Sequence, residues 1–328
     1  VKDLTENATG AFEDYGLYTQ VEQLNKTALQ AHGLDKNGQL YKINEFEFYR
    51  YEDVIKLSTD PDYDQAAFEQ RLEIKGSSDH TKLIEMLEVL NDDTQPMDDV
   101  LFARYFDPEN IAYWMAFQLL TGNTDTQNRN VYLYSPQNSD CWYLLDWDND
   151  GMLRRKEREI IQFSDSESWE RGVSNYWGNI LYRRCLQTER FRTLLDTAMD
   201  ELYGYMNEEK ITSMVEHYRE VTEPYVWRMP DVLYLPVNRA EYEEIAASLW
   251  PEIQENHSYY RESYLHPMPF YIGVPVSDNG QLRINWDAPY DFDAEDIFYT
   301  VEIARDYVFQ KVIFRQANIV LPQIQLDL

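Results

Sequence analysis

The 328-residue sequence predicts an α+β protein, a largely helical body with a small β-region, followed by a short all-β tail. Three observations predict this. Apolar residues recur at three-to-four spacing in FRTLLDTAMDELYGYM (191–206), EEKITSMVEHYREV (208–221) and EYEEIAASLWPEIQENHSYYRESYL (241–265). Two β-type runs, VYLY (131–134) and CWYLL (141–145), are joined by SPQNSD with its Pro, Asn and Ser turn chemistry. Past His266-Pro267-Met268-Pro269 the pattern changes to short strands.

Taken in order, residues 11–24 read as one or two strands, with Gly16 between apolar and aromatic neighbours. LDKNGQLYK supplies a turn at Asn37-Gly38, and Lys42 follows in a strand-like stretch with no assigned role. SSDHTKLIEMLEVLND (77–92) is helix-forming. Asp107 then Pro108 gives an N-cap followed by Pro at the first helical position. IAYWMAFQLL (Ile111 to Leu120) reads as a buried helix, and Gly122 fits its C-terminal cap. Such a helix can hold a following polar loop rigid. In the later helical region Trp227, Tyr234 and Trp250 read as core packing, punctuated by Pro230, Pro236 and Pro251. In the tail, FYIGVPVS, QLRINWDAP, IFYTVEIARD and VIFRQ are short strands at the close spacing of a β-sandwich.

Composition narrows the function. No run of 18 apolar residues exists, so no membrane-spanning helix is expected. With 59 acidic against 29 basic residues the net charge is −30, which disfavours nucleic acid as a partner and favours cationic ones. Cys141 and Cys185 form no CxxC or Cys/His zinc spacing, and Cys141 reads as a small core residue. The five histidines never fall at i, i+3 or i+4, and no G-x-S-x-G is found. Without an initiator Met or a charged-then-apolar start, the chain reads as a slice of something longer that lacks its signal peptide.

The most informative stretch lies between Gly122 and Gly151: GNTDTQNRN, then the two strands, then DWDNDG. Asp125 and Asn130 stand in D-x-x-x-x-N spacing, and Asp148 follows Asn130 by 18 residues, just after an apolar strand. These can be the two halves of a phosphoryl-transfer site. An Asp must orient the attacking hydroxyl and accept its proton; an Asn carbonyl can take a metal; a carboxylate must bridge metal to phosphates. Asp146 or Asp150 would add a carboxylate. A rival pattern overlaps it, because Asp146, Asp148, Asp150, Gly151 and Glu157 satisfy the EF-hand signature D-x-D-x-D-G-x₅-E. A helix should enter an EF-hand loop, however, and here a strand does. A solvated acidic turn after an edge strand is the third reading.

The segments AFEDYGLYTQVEQLNKTALQAHGLDKNGQLYK (11–42), SSDHTKLIEMLEVLND, GNTDTQNRNVYLY and CWYLLDWDNDG, in this order, resemble the CotH family of spore-coat and cell-surface atypical protein kinases. The resemblance covers about residues 10–260. It implies an atypical kinase-like fold over 1–266, mostly the helical large lobe, with a small-lobe remnant at about 1–24. It also implies ATP with Mg²⁺ or Mn²⁺, and phosphorylation of Ser/Thr in spore-coat or other extracellular proteins. Asp125 matches the catalytic-loop Asp, Asn130 the metal-ligand Asn and Asp148 the metal-binding Asp. VEQLN (21–25) would be the hinge that meets adenine, through Glu22 and Leu24. Asn123-Thr124 stands where most kinases have His-Arg, and Trp147-Asp148-Asn149 replaces Asp-Phe-Gly, so regulation by an activation-loop phosphate is not expected. No Gly-rich loop or convincing lysine precedes the hinge, which implies that the phosphate-binding Lys and its Glu partner lie upstream of the sequence. Residues 267–328, with Trp286 in LRINWDAP, resemble part of a fibronectin type III domain. The alternative function is a non-catalytic adhesion or binding module on the same scaffold. The two differ in whether Asp125, Asn130 and Asp148 converge, or are instead occupied by Arg154 or Arg155.

Overall fold

In the computed structural model, which describes residues 10–162 and 171–327, two compact units occur: residues 1–258 and residues 259–328. The first is built on an antiparallel sheet of β1 (Gln39–Ile43), β2 (Leu72–Ile74), β3 (Val131–Ser135) and β4 (Tyr143–Asp146), in the order β2-β1-β3-β4. Its helices are α1 (Lys26–Ala31), α2 (Gln65–Arg71), α3 (Thr81–Leu90), α4 (Pro108–Thr121), α5 (Arg155–Ile160), α6 (Ile180–Gln187), α7 (Glu189–Tyr205), α8 (Glu208–Val226) and α9 (Arg239–Ser263), with a π-helical stretch at Met97–Tyr105.

Alternation gives the sheet two different faces. On one, Leu40, Tyr132 and Tyr134 pack with Leu29 of α1, and Leu24, Tyr143, Leu145 and Trp147 close around them. The other carries Tyr41, Leu133 and Leu144, all buried, with Tyr41 against Phe68, His80 and the fully buried Trp142.

Helix α4 forms as its ends dictate. The Asp107 carboxylate accepts from the Glu109 and Asn110 amides, Pro108 opens the first turn, and Gly122 closes the helix at φ 62° in the left-handed region. Its body is buried nearly all round, with Trp114 stacked on Tyr182 at 5.3 Å, and it packs along α7. The Asn110 side chain donates to the Leu144 carbonyl and accepts from the Leu144 amide. It thus acts as a one-residue strand neighbour for edge strand β4 and ties the helix to the hairpin.

Two expectations need correction. Residues 11–24 form no strand: Phe12 makes a single backbone bridge, and side chains further along help hold the segment. Asp231 accepts from the Leu17 amide, and Asp14 pairs with Arg228 at 2.9 Å. Residues 1–9 of the expected small-lobe remnant lie outside the described residues. Tyr234 is no core residue, being 81 % exposed, whereas Trp250 stacks on Tyr203 and Trp227 meets Tyr242 edge-on.

In the second unit β5 (Val276–Asp278), β6 (Gln281–Asn285) and β9 (Gln323–Asp327) make one sheet, and β7 (Tyr299–Ala304) and β8 (Val312–Ile319) another. Trp286, Tyr299, Ile319 and Ile324 form its core, Trp286 meeting Tyr299 edge-on at 5.2 Å. Strand β9 was not anticipated from the sequence.

Candidate active site

The site is assembled at one end of the β3–β4 hairpin. Val131 is paired with Asp146, so the residue before β3 (Asn130) and the residues after β4 (Trp147 and Asp148) leave the sheet at the same end. Asn130 and Asp148 both adopt left-handed backbone, at φ 56° and 57°. Asn and Asp tolerate this conformation better than other non-glycine residues, and such conformations concentrate where a side chain must be re-aimed.

Asp125 and Asn130 are in direct contact: the Asn130 Nδ2 donates to Asp125 Oδ2 at 3.0 Å. Arg129 Nε lies 3.1 Å from the other carboxylate oxygen, and the Asp125 side chain remains about half exposed. The Asp125 carboxylate is therefore oriented on both oxygens and still open to solvent. Arg154 and Arg155 do not occupy it. Arg154 makes two bonds to Glu157, and Arg155 pairs with Glu255 at 2.5 Å. With Glu157 engaged in this way, and a strand entering the loop, the EF-hand reading fails.

The loop carrying Asp125 is clamped from several elements. Asn175 and Asn179 donate to the Thr124 and Gln127 carbonyls at 3.2 and 2.8 Å. Thr126 meets the buried Tyr176 hydroxyl, and the Asn128 carbonyl accepts from the Phe46 amide. Asn128 also donates to Glu47 at 2.7 Å. Burial opposes ionisation of Glu47, but bonds from Tyr51 and Asn128 and the nearby Arg71 hold its carboxyl below the usual range. From α9, Asn256 donates to the Leu120 carbonyl, and the buried Glu252 accepts from the Arg155 amide. Burial raises the Glu252 carboxyl, against the pull of Arg155.

The acidic loop is joined to this one through amides. Gln118 of α4 donates to Asp146 at 2.9 Å and accepts from Asn123 at 3.0 Å. A Cβ on Gly151 would stand 2.6 Å from Asn123 Oδ1 and 4.0 Å from the Asp125 Cβ, so the two loops touch at that glycine. Leu153 then donates to the Thr121 carbonyl at the end of α4. Local desolvation raises the Asp146 carboxyl, partly offset by the Gln118 bond, although the residue keeps an exposed surface. Asp150 is exposed, in the field of Arg154.

Of the residues the sequence nominated, Asp125, Asn130 and Asp148 come to one end of the hairpin. Asp146, Asp148 and Asp150 do not form a cage: among the described residues no three His, Cys, Asp or Glu side chains are grouped to hold a metal. Glu22 turns to His32 at 2.8 Å, and Leu24 lies on the sheet face with Tyr132 and Trp147. Asn25, the last residue of the expected hinge, caps α1. The remaining donor set is hard oxygen: the Asp148 carboxylate and the Asn130 amide carbonyl. That suits Mg²⁺ or Mn²⁺, which take one or two protein ligands and complete their shell with phosphates and water. Gln118, Glu47, Asn175 and Asn179 were not foreseen, and Asn123 and Gly151 were noted in the sequence without these roles.

A buried helix, a clamped polar loop, a hairpin and an acidic loop together bring Asp125, Asn130 and Asp148 to one end of the sheet. The CotH kinase protein family matches residues 4–260, and the chain belongs to that family. Among curated proteins none matches it in sequence. Among the described residues no helix is long and apolar enough to cross a membrane.

Proposed function

We propose that this chain has a kinase-like fold and transfers the γ-phosphoryl group of ATP to Ser or Thr hydroxyls of spore-coat or cell-surface proteins. The observation that carries this reading is the bonded Asp125–Asn130 pair beside the hairpin end from which Asp148 departs. Asp125 orients the acceptor hydroxyl and takes its proton as that oxygen bonds to the γ-phosphorus and the β–γ bridging oxygen leaves with ADP. Asp148 and the Asn130 carbonyl hold the divalent ion, which neutralises charge on the phosphates when bound. Arg129 and Asn130 keep Asp125 in place. Leu24, over Tyr132 and Trp147, is suited to one side of an adenine pocket. Residues 267–328 would be a fibronectin type III-like appendage suited to display at a wall or spore surface. The engagement of Arg154 and Arg155 elsewhere favours catalysis over a purely adhesive role.

The test is phosphate incorporation from ATP with Mn²⁺ or Mg²⁺ into coat-protein substrate. Asp148→Ala and Asp125→Asn should each lower the rate by orders of magnitude, at least about 10²-fold, with the fold intact by circular dichroism. An Asp148→Ala variant that labels substrate as fast as the parent would refute the assignment.

A further inference from the structure

Lys42 received no role from the sequence, and the lysine that meets the phosphates was expected upstream of residue 21. The sheet brings a different candidate to the site. Lys42 lies on β1, paired with Tyr132 of β3 and Glu73 of β2. Its side chain shares a face with Leu40, Tyr132 and Trp147, and its ammonium sits over the Trp147 ring, 5.9 Å from the centroid. Trp147 in turn meets Tyr132 edge-on at 5.4 Å and immediately precedes Asp148.

Lys42 and Lys210 are both half-buried lysines over an aromatic ring, but only Lys42 stands at the hairpin end of the sheet. It is half-buried in a chain of net charge −30, yet no carboxylate lies within ion-pair distance of it among the described residues. Its cross-strand neighbour Glu73 pairs with Lys75 at 2.5 Å instead. Several other lysines of this unit bridge to carboxylates or carbonyls: Lys56 to Asp62, Lys156 to Glu159 and Glu244, and Lys82 to the Pro136 and Ser139 carbonyls. A half-buried ammonium with an aromatic face and no anion has electrostatic capacity to spare. The end of the sheet on which it stands is the end from which Asn130 and Asp148 project.

We infer that Lys42 is a phosphate-binding residue of this site, contacting the nucleotide's phosphates from β1 while Trp147 keeps its stem in place. The inference rests on the nucleotide reading above and removes the need for a lysine upstream of the hinge. It assigns Trp147 the task of orienting Lys42 toward Asp148, a reason for an aromatic residue next to the metal-binding Asp.

Calorimetry on the 328-residue chain separates the possibilities, using adenosine, ADP and ATP with Mn²⁺, and comparing parent, Lys42→Met, Lys42→Arg and Asp148→Ala. A contact between Lys42 and phosphate predicts that Lys42→Met weakens ATP and ADP roughly ten- to hundredfold, the range of one hydrogen bond to a charged group. Adenosine binding should stay unchanged, and Lys42→Arg should recover most of the loss. If Lys42→Met binds ATP as tightly as the parent, the proposal is wrong. If it weakens adenosine as much as ATP, Lys42 merely staples Trp147 and the proposal is again wrong. If the parent binds neither adenosine nor ATP, both the nucleotide reading and the role of Lys42 fall. Retained parental binding with loss only in Asp148→Ala would leave the nucleotide site standing and remove Lys42 from it.

Discussion

Replacing Gly151 with alanine tests whether the two loops of the site act as one unit. The new methyl would stand 2.6 Å from Asn123 Oδ1, where ordinary contact begins at 3.4 Å, so about 0.8 Å must be found. Asn123 is not free to yield it. It is buried, and its amide is bonded to Gln118 Oε1 at 3.0 Å, while Gln118 also holds Asp146. The displacement therefore passes to the loop bearing Asp125 or to the loop bearing Asp148. Overpacking of this kind costs about 1–3 kcal/mol of stability. A misplacement near 1 Å between reacting groups costs about 10²-fold in rate. Gly151→Ala should thus lose roughly two orders of magnitude in phosphate transfer while unfolding only slightly more readily in urea. Asn123→Ala removes the obstructing oxygen, so the double variant should lose less than the product of the two single losses. Parental activity in Gly151→Ala, or a double variant whose losses simply multiply, would refute the idea that the loops are coupled at this contact.

Two further outcomes follow from the charge of the chain and the burial of His80. His80 is fully buried, bonded through Nδ1 to the Tyr41 hydroxyl at 2.8 Å and stacked on Phe68 at 4.1 Å; burial lowers its pKa from 6.5 to about 4. The unfolded chain takes up the proton first, so His80 contributes stability that is whole above about pH 6.5 and is lost as pH falls toward 4. The full term is about 3 kcal/mol. Urea titrations of parent and His80→Gln should therefore converge as pH falls through that window; a constant difference would contradict it. Separately, the −30 charge should favour peptides whose Ser or Thr is flanked by Lys or Arg, mainly by faster association. That preference should shrink between low and high salt, since screening acts over about 10 Å at 0.1 M; a preference for acidic flanks would sink it.

How much of this was legible in the sequence depends on how far apart the partners stand. Helix α4 could be read because Asp107, Pro108 and Gly122 act on their own neighbours. The Asp125–Asn130 pair and the hairpin beyond it are likewise local, and Asp148 follows from the strand that precedes it. Residues 11–24 could not be read correctly, because β-like composition makes a strand only when another backbone lies alongside. Strand β9 was missed since QIQLD is short and polar on one face, and its pairing with β6 joins Gln281 to Asp327. The clamps on the catalytic loop left no signal at all: Glu47 reaches Asn128 across 81 residues, and Asn175 and Asn179 reach back 51 and 52. Lys42 belongs to the same class, invisible until β1 is laid beside β3.

The identity of those clamps bears on the chemistry. Gln118 and Asn123 join the two loops, Asn128, Asn175 and Asn179 hold the loop bearing Asp125, and all are neutral amides. An amide supplies both donor and acceptor without adding to the field, whereas each carboxylate used for the same purpose would repel an incoming polyphosphate. In a chain of net charge −30 this distinction is large. In the proposed reaction Asp125 and Asp148 are the carboxylates the transfer requires, with Arg129 and Lys42 as nearby cations, while Glu47, Asp146 and Asp150 add further acidic groups around them. Under the proposed function, ATP binding to so acidic a protein would depend on a local reversal of sign, supplied by a divalent ion at Asp148 and by Lys42. Raising ionic strength should consequently tighten or spare ATP binding relative to binding of basic peptides, because screening relieves the global repulsion more than it weakens contacts made at close range.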